Sequence, residues 1–453
     1  MVIRAAKPLI YTSVIYIVNE AHRRGVMKMK LLSVLGLCII SLGVLPACQP
    51  PVASGDVATS DKPRETVSTV NQADLSALVD GNNKFAVGLY QVLKSGEGNL
   101  FYSPYSISMA LAMTYAGAKG TTAQQMADTL HFILPQDSLH TTFNGLDQQL
   151  ASRGQGAKDK EGKSFKLNIV NALWGQKGYQ FLSQYLDLLA QNYGAGMRLL
   201  DFRNAPDASR LTINKWVADQ TKDKIQDLIP AGAIDTLTRL VLTNAIYFNA
   251  AWASPFEKGA TQDGKFYLND GSSVTMPMMS QTESLGYGEG SGYRVVELPY
   301  DGHELSMVIL LPDSGTFTQF ENALTADKYN GILQGLSNKQ VALTMPRFKF
   351  DSSFSLNQAL SAMGMPLAFT DQADFSGMTG NRDLSISDVI HKAFVSVDES
   401  GTEAAAATAV IMRTTSMPLS PTEVKVDHPF IFVIRDIQTG TVLFIGRVLN
   451  PTA

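Results

Sequence analysis

From Asp74 to Ala453 about 380 residues run with no second linker, no fixed-period repeat and no low-complexity stretch except the alanines near position 405. A span of that length has to close around one shared core. Its two periodicities are segregated. Leu75 to Leu93, Ser106 to Ala116, Thr122 to Leu130 and Ser183 to Tyr193 carry apolar residues at three- and four-residue spacing, the pattern of amphipathic helices. Val241 to Phe248, Tyr293 to Leu298, Leu305 to Leu311, Val341 to Met345, Phe430 to Ile434 and Val442 to Val448 are short β-prone runs bounded by Gly, Pro, Asn or Asp. Helices gathered early and strands gathered late predict an α+β fold with mainly antiparallel sheets.

The amino-terminal end has a different character. Lys28 and Lys30 precede an apolar run, Leu31 to Leu45, that is too short to span a bilayer and has the layout of a secretory signal. The run ends Leu45-Pro46-Ala47-Cys48, which resembles the lipobox of bacterial lipoproteins, where the cysteine is acylated and the chain is cut just before it. Pro46 is a less usual occupant, and a plain signal peptide with a chance cysteine is the alternative. Residues 1–47 are read as the signal, with the true start at Met27 or Met29 because signals begin close to their basic region. Cys38 would leave with it. Cys48 is then the one remaining cysteine, so no disulfide framework or thiolate metal site is expected. Residues 48–73, with Pro50, Pro51, Pro63 and several Ser and Thr, are expected to be a disordered, lipidated tether. The expected localisation is the bacterial cell envelope, periplasmic or at the cell surface, with the membrane reached through lipid on Cys48.

Composition and motifs exclude several classes of activity. A formal charge of -4 gives no basic footprint for nucleic acid. There are six histidines, none in a His-Glu-x-x-His arrangement, and no Gly-x-Ser-x-Gly elbow. Gly117 to Thr122 lacks the spacing of a phosphate-binding loop, and Gly288 to Gly292 reads as a hairpin turn. No catalytic residue, cofactor or metal is expected, and the chain is not read as an enzyme.

Several spans resemble the serpin family, in order, across nearly the whole body. They are Asn99 to Ile107 followed by Gly117 to Thr122; Leu242 to Phe248 with Trp252 and Pro255-Phe256; Val397 to Ala406; and His428 to Phe432 with Phe444 to Pro451. The resemblance implies a serpin fold, with helices packed around three mainly antiparallel sheets and an exposed reactive-centre loop. It also implies a monomeric inhibitor of serine endopeptidases that is cut once and inserts its loop as an added strand. Carried over residue by residue, Ser103, Ser106, Asn244 and His391 match the shutter under the sheet centre, although His391 taken alone reads as an ordinary core histidine. Trp252, Arg347 and Glu399 match the breach where insertion starts. Arg347 replaces the family's common lysine and is placed to pair with Glu399. Glu399, Gly401, Thr402, Glu403, Ala404, Ala405, Ala406, Ala407 and Thr408 match the hinge, with Ser400 where the family usually has a charged or longer polar residue.

Residue alternation tests the insertion reading. In a strand one face would carry Thr402, Ala404, Ala406, Thr408, Val410 and Met412, and the other Glu403, Ala405, Ala407, Ala409, Ile411 and Arg413. Both charges fall on the second face, so the first can be buried. Local propensity reads the four alanines instead as one helical turn. Counting from the hinge glutamate as the family does places the reactive bond at Thr415-Ser416 and favours an elastase-like or subtilisin-like target. Arg413-Thr414 and a trypsin-like enzyme are the alternative, and a papain-like cysteine protease is a further one. A non-inhibitory serpin, acting as a carrier or chaperone-like module, is the rival reading.

Overall fold

The computed structural model describes residues 56–67, 69–154, 166–402 and 420–452. A seven-stranded sheet has the spatial order β1 (Asp56–Ala58), β4 (Met197–Leu200), β3 (Lys166–Gln176), β5 (Leu240–Ala251), β13 (Gly401–Thr402), β12 (Asp388–Asp398) and β11 (Phe348–Ser355). A nine-stranded sheet follows the order β14 (Thr422–Lys425), β10 (Ser337–Pro346), β7 (Ser273–Gly290), β8 (Tyr293–Pro299), β9 (Leu305–Pro312), β15 (Phe430–Asp436), β16 (Val442–Val448) and β2 (Leu100–Tyr102), with β6 (Gln262–Tyr267) along β7. Where three sheets were expected, two of them run together through β7. Its 18 residues pair with β6 at one end, β8 at the other and β10 between. Gly288 to Gly292 forms the expected β7–β8 hairpin, with Gly292 at φ 81 in its turn.

Helices α1 (Gln72–Leu93), α2 (Pro104–Tyr115), α3 (Gly120–Leu130), α4 (Gln136–Ala151), α5 (Ser183–Tyr193) and α6 (Pro206–Gln220) fill the first half. α2 starts with Ser103 capping it, the side chain accepting from Ser106 N–H, and Pro104 at its first position, where a missing N–H costs nothing. Every residue of α2 is buried beneath the seven-stranded sheet, as expected of a helix that is apolar on all sides. On the opposite face α6 closes a smaller core of Trp174, Phe202, Ile213, Val217, Val241 and Ile390.

The tether expected over 48–73 is corrected from Asp56 onward. β1 pairs antiparallel with β4, Asp56 opposite Leu199 and Ala58 opposite Met197. Beyond it the chain is clamped to α5 and α4. Ser60 donates to Asp187 at 2.5 Å, Lys62 lies 2.9 Å from the same carboxylate, and Glu65 N–H donates to the Gln191 carbonyl at 2.8 Å. Arg64 reaches Asn144 at 2.8 Å and Asp147 at 2.7 Å. Gly196 permits the close approach, since a Cβ there would lie 2.8 Å from the Ala58 carbonyl oxygen. A segment with too few apolar groups to build a core can still satisfy its backbone on the edge strand of a neighbour that is already folded. Residues 1–55, including Cys48, lie outside the described residues.

Candidate functional site

β5 and β12 are parallel neighbours from Val241–Asp388 to Tyr247–Phe394. Beyond that point they diverge, and β13 fills the gap: Thr402 stands opposite Val397 and Ala250, and Gly401 opposite Asp398 and Ala251. The seam is therefore closed below Thr402 and wedged open above it. Gly401 is required at the wedge because a Cβ would come within 2.1 Å of the Ala250 oxygen.

The residues around the wedge lock it in place. Thr402 is 1% exposed, and its hydroxyl meets Tyr300 OH at 2.8 Å. Tyr300 stacks on Trp252 at 4.6 Å between centroids. Trp252 in turn donates from its backbone to Ser400 O at 2.9 Å and from Nε1 to Asp398 O at 3.0 Å. The Ser400 N–H donates to the Asp398 carboxylate at 2.8 Å. Glu399 is buried, and Oε1 accepts from Arg347 Nε at 2.8 Å, from Arg347 Nη2, and from the Thr261 hydroxyl at 2.5 Å. Burial pushes the Glu399 carboxyl up, but the hydrogen bonds from Arg347 and Thr261 outweigh it and leave the group below its ordinary value. Asp398, with no ion-pair partner among the described residues, is raised, first of all by burial.

Lower in the seam the strand registers align a polar row across the sheet: Asn171 on β3, Asn244 on β5 and His391 on β12. His391 Nε2 accepts from the Ser103 backbone N–H at 3.3 Å, which leaves Nδ1–H to donate to Asn244 Oδ1. The Asn244 amide donates to Ser106 Oγ and to Asn171 Oδ1, and Asn171 Nδ2 donates to the Ser106 carbonyl at 3.2 Å. Ser103, Ser106, Asn244 and His391 are all fully buried. Burial pushes His391 down to about 3, so it is neutral at ordinary pH.

The structure thus brings Ser103, Ser106, Asn244 and His391 into one network, and Trp252, Arg347, Glu399, Gly401 and Thr402 into another. Asn171, Thr261 and Tyr300 complete these networks and were not identified from the sequence. Asn171 had one usable signal, an Asn inside the β-prone run Leu167 to Trp174, where that residue type is depleted. Glu403 to Thr408 of the hinge and the candidate bonds Thr415-Ser416 and Arg413-Thr414 lie outside the described residues.

Comparison with known proteins adds the following. The family model described as Serpin (serine protease inhibitor) matches residues 80–451. An uncharacterised serpin-like protein of Thermococcus kodakarensis is 39% identical over 436 residues, covering 94% of this chain and 99% of the relative. Human leukocyte elastase inhibitor is 41% identical, covering 83% of this chain and 100% of the relative. Among solved structures, human thyroxine-binding globulin in complex with thyroxine superposes with a TM-score of 0.74 at 30% identity, covering 84% of this chain and 100% of that one.

Proposed function

The chain belongs to the serpin family, and on that premise we propose that it inhibits serine endopeptidases by being cut once after the hinge and drawing the cut end between β5 and β12. The observation that carries this reading is the wedge. Gly401 and Thr402 already pair with both strands, so insertion continues a ladder that has begun. Beyond Thr402 the sequence offers Ala404, Ala406 and Thr408 to the buried face, with nothing charged or bulky to stop it.

Energetically the uncut chain is a spring. Inserting roughly a dozen residues forms about ten ladder bonds of ~0.5–1.5 kcal/mol each, a gain on the order of 10 kcal/mol. That is comparable with the whole stability of an ordinary domain, so the closed seam is held by a barrier. The protease serine attacks the scissile carbonyl, the C–N bond breaks with the carboxyl-terminal fragment leaving as the new amine, and an ester joins the enzyme to the carbonyl end of the loop. Insertion then carries the enzyme along the sheet before water reaches that ester.

The test is a gel assay against elastase-like, subtilisin-like, trypsin-like and papain-like proteases, scored for a complex that survives SDS and boiling. Mass spectrometry of the small carboxyl-terminal fragment identifies the bond. A start at Ser416 supports an elastase-like or subtilisin-like target, and a start at Thr414 a trypsin-like one. The likeness to thyroxine-binding globulin favours one second reading, carriage of a ligand without protease trapping. Cleavage of the chain by every enzyme in the panel with no stable complex would select it.

A signal peptide cut before Cys48 and a lipid on that cysteine would place the protein on a bacterial cell envelope. The support is the basic, apolar and Leu45-Pro46-Ala47-Cys48 sequence order. Cys48→Ser is expected to release the protein from the membrane fraction. A mature chain starting upstream of residue 48 would overturn this anchoring.

A further inference from the structure

Away from the loop machinery, a cleft of about 480 Å³ opens between the strap Thr59 to Arg64, the turn from α5 into β4, and α6. Among the described residues its lining includes three cations, Lys62, Arg64 and Arg198, and no carboxylate. Lys62 and Arg64 are already paired, with Asp187 and Asp147 respectively. Arg198 differs from them. Its guanidinium sits 4.5 Å from the Trp216 ring centroid and 5.5 Å from that of Trp174, and among the described residues it has no hydrogen-bond or ion-pair partner.

Two indole faces hold the group in position without using its five N–H donors. Burial pushes its pKa down, which means the charge has lost part of its hydration without gaining a counter-ion. Beside it, Trp216 and Tyr193 give the cleft flat apolar walls, and its volume is within the usual range for small-molecule sites. We propose that this cleft binds a small amphipathic anion, a carboxylate, sulfonate or phosphate on a flat apolar body, with the head group on Arg198 and the body against Trp216 and Tyr193. Asn171 also lines the cleft, so an occupant bears on the same strand, β3, that holds Ser106 and Asn244 at the seam.

The test titrates the full chain with 8-anilinonaphthalene-1-sulfonate, read by energy transfer from tryptophan, and with N-phenyl-1-naphthylamine as the uncharged analogue. Saturable binding of the sulfonate is expected, weakened about tenfold by Arg198→Gln and less by Arg198→Lys. The neutral compound should bind more weakly and be indifferent to both substitutions. Thr59→Trp enlarges a side chain that lines the cleft from the exposed strap, and is expected to abolish sulfonate binding even if Arg198→Gln misfolds. Equal sulfonate affinity in wild type and Thr59→Trp, or equal affinity for the charged and neutral probes, overturns the proposal. None of these readouts requires protease inhibition, so this proposal and the inhibitory reading fail separately.

Discussion

His391 and Asn244 stand opposite each other across the parallel seam of β12 and β5, with His391 Nδ1 donating to Asn244 Oδ1. The seam cannot part without giving up that bond, and Asn244 also donates to Ser106 and Asn171. Asn244→Ala leaves the buried His391 and Ser106 and the half-buried Asn171 each with a partner missing and is expected to cost about 1–3 kcal/mol. The same change lowers the barrier to opening. Incubation below the unfolding temperature should therefore convert the variant to an inactive, loop-inserted form faster than wild type, followed by native gel and residual inhibition. An unchanged conversion rate contradicts a barrier role for this pair.

The buried histidines set an acid limit. Burial pushes His391 to about 3 and His140 to about 4 from an ordinary 6.5, so both stay neutral in the folded chain while the unfolded chain protonates. Their contribution to stability is fully present above pH 6.5 and is lost as pH falls from there toward the folded values. Each contributes up to about 1.4 kcal/mol per pH unit. Raised carboxyls such as Asp388 and Asp398 act in the opposite direction and cancel when variants are compared. His391→Gln is expected to flatten the loss of stability by about one proton between roughly pH 6 and pH 4, measured by urea midpoints. A slope equal to that of wild type counts against the buried neutral imidazole.

Arg347→Ala strips the cation from Glu399, whose side chain is 3% exposed. Because Arg347 is itself 42% exposed, the expected cost is about 1–3 kcal/mol, below that of breaking a fully buried pair. Glu399→Gln should cost less, since Arg347 then turns to water. Thermal midpoints of the two variants decide it, and a larger loss for Glu399→Gln contradicts the assignment.

How much of this was legible beforehand depends on the kind of signal. Helices with a clean 3.6-residue stripe were found, Ser183 to Tyr193 with its observed bounds and α1, α2 and α3 with ends displaced by up to three residues, whereas α4, α6 and β3 were not. His391 and Asn244 were found through their motifs, but that they share a row with Asn171 depends on register across three strands, which no local pattern encodes. The strap was read as a tether because Pro63, Ser60 and their neighbours bury little apolar surface. What fixes it is an unpaired strand edge and carboxylates on α5 and α4, far along the chain. Composition describes what a segment can bury itself, and says little about what it can lean on.

Thr402→Arg places a charge where the side chain is 1% exposed and bonded to Tyr300. Insertion is then slowed relative to hydrolysis of the ester, and the protein should turn from inhibitor to substrate. On an SDS gel the cut form should accumulate at the expense of the complex. An unchanged ratio of complex to cut chain would show that the Thr402 face is not the inserted one.

The central claim is that cutting the loop lets a strand enter between β5 and β12 and relaxes the molecule. The most direct measurement compares far-UV circular dichroism melts of the intact chain and of the chain cut once in the loop by a protease it does not trap. A gain on the order of 10 kcal/mol predicts that the cut chain stays folded well above the temperature at which the intact chain melts. A cut chain that melts at or below the intact midpoint would contradict the account.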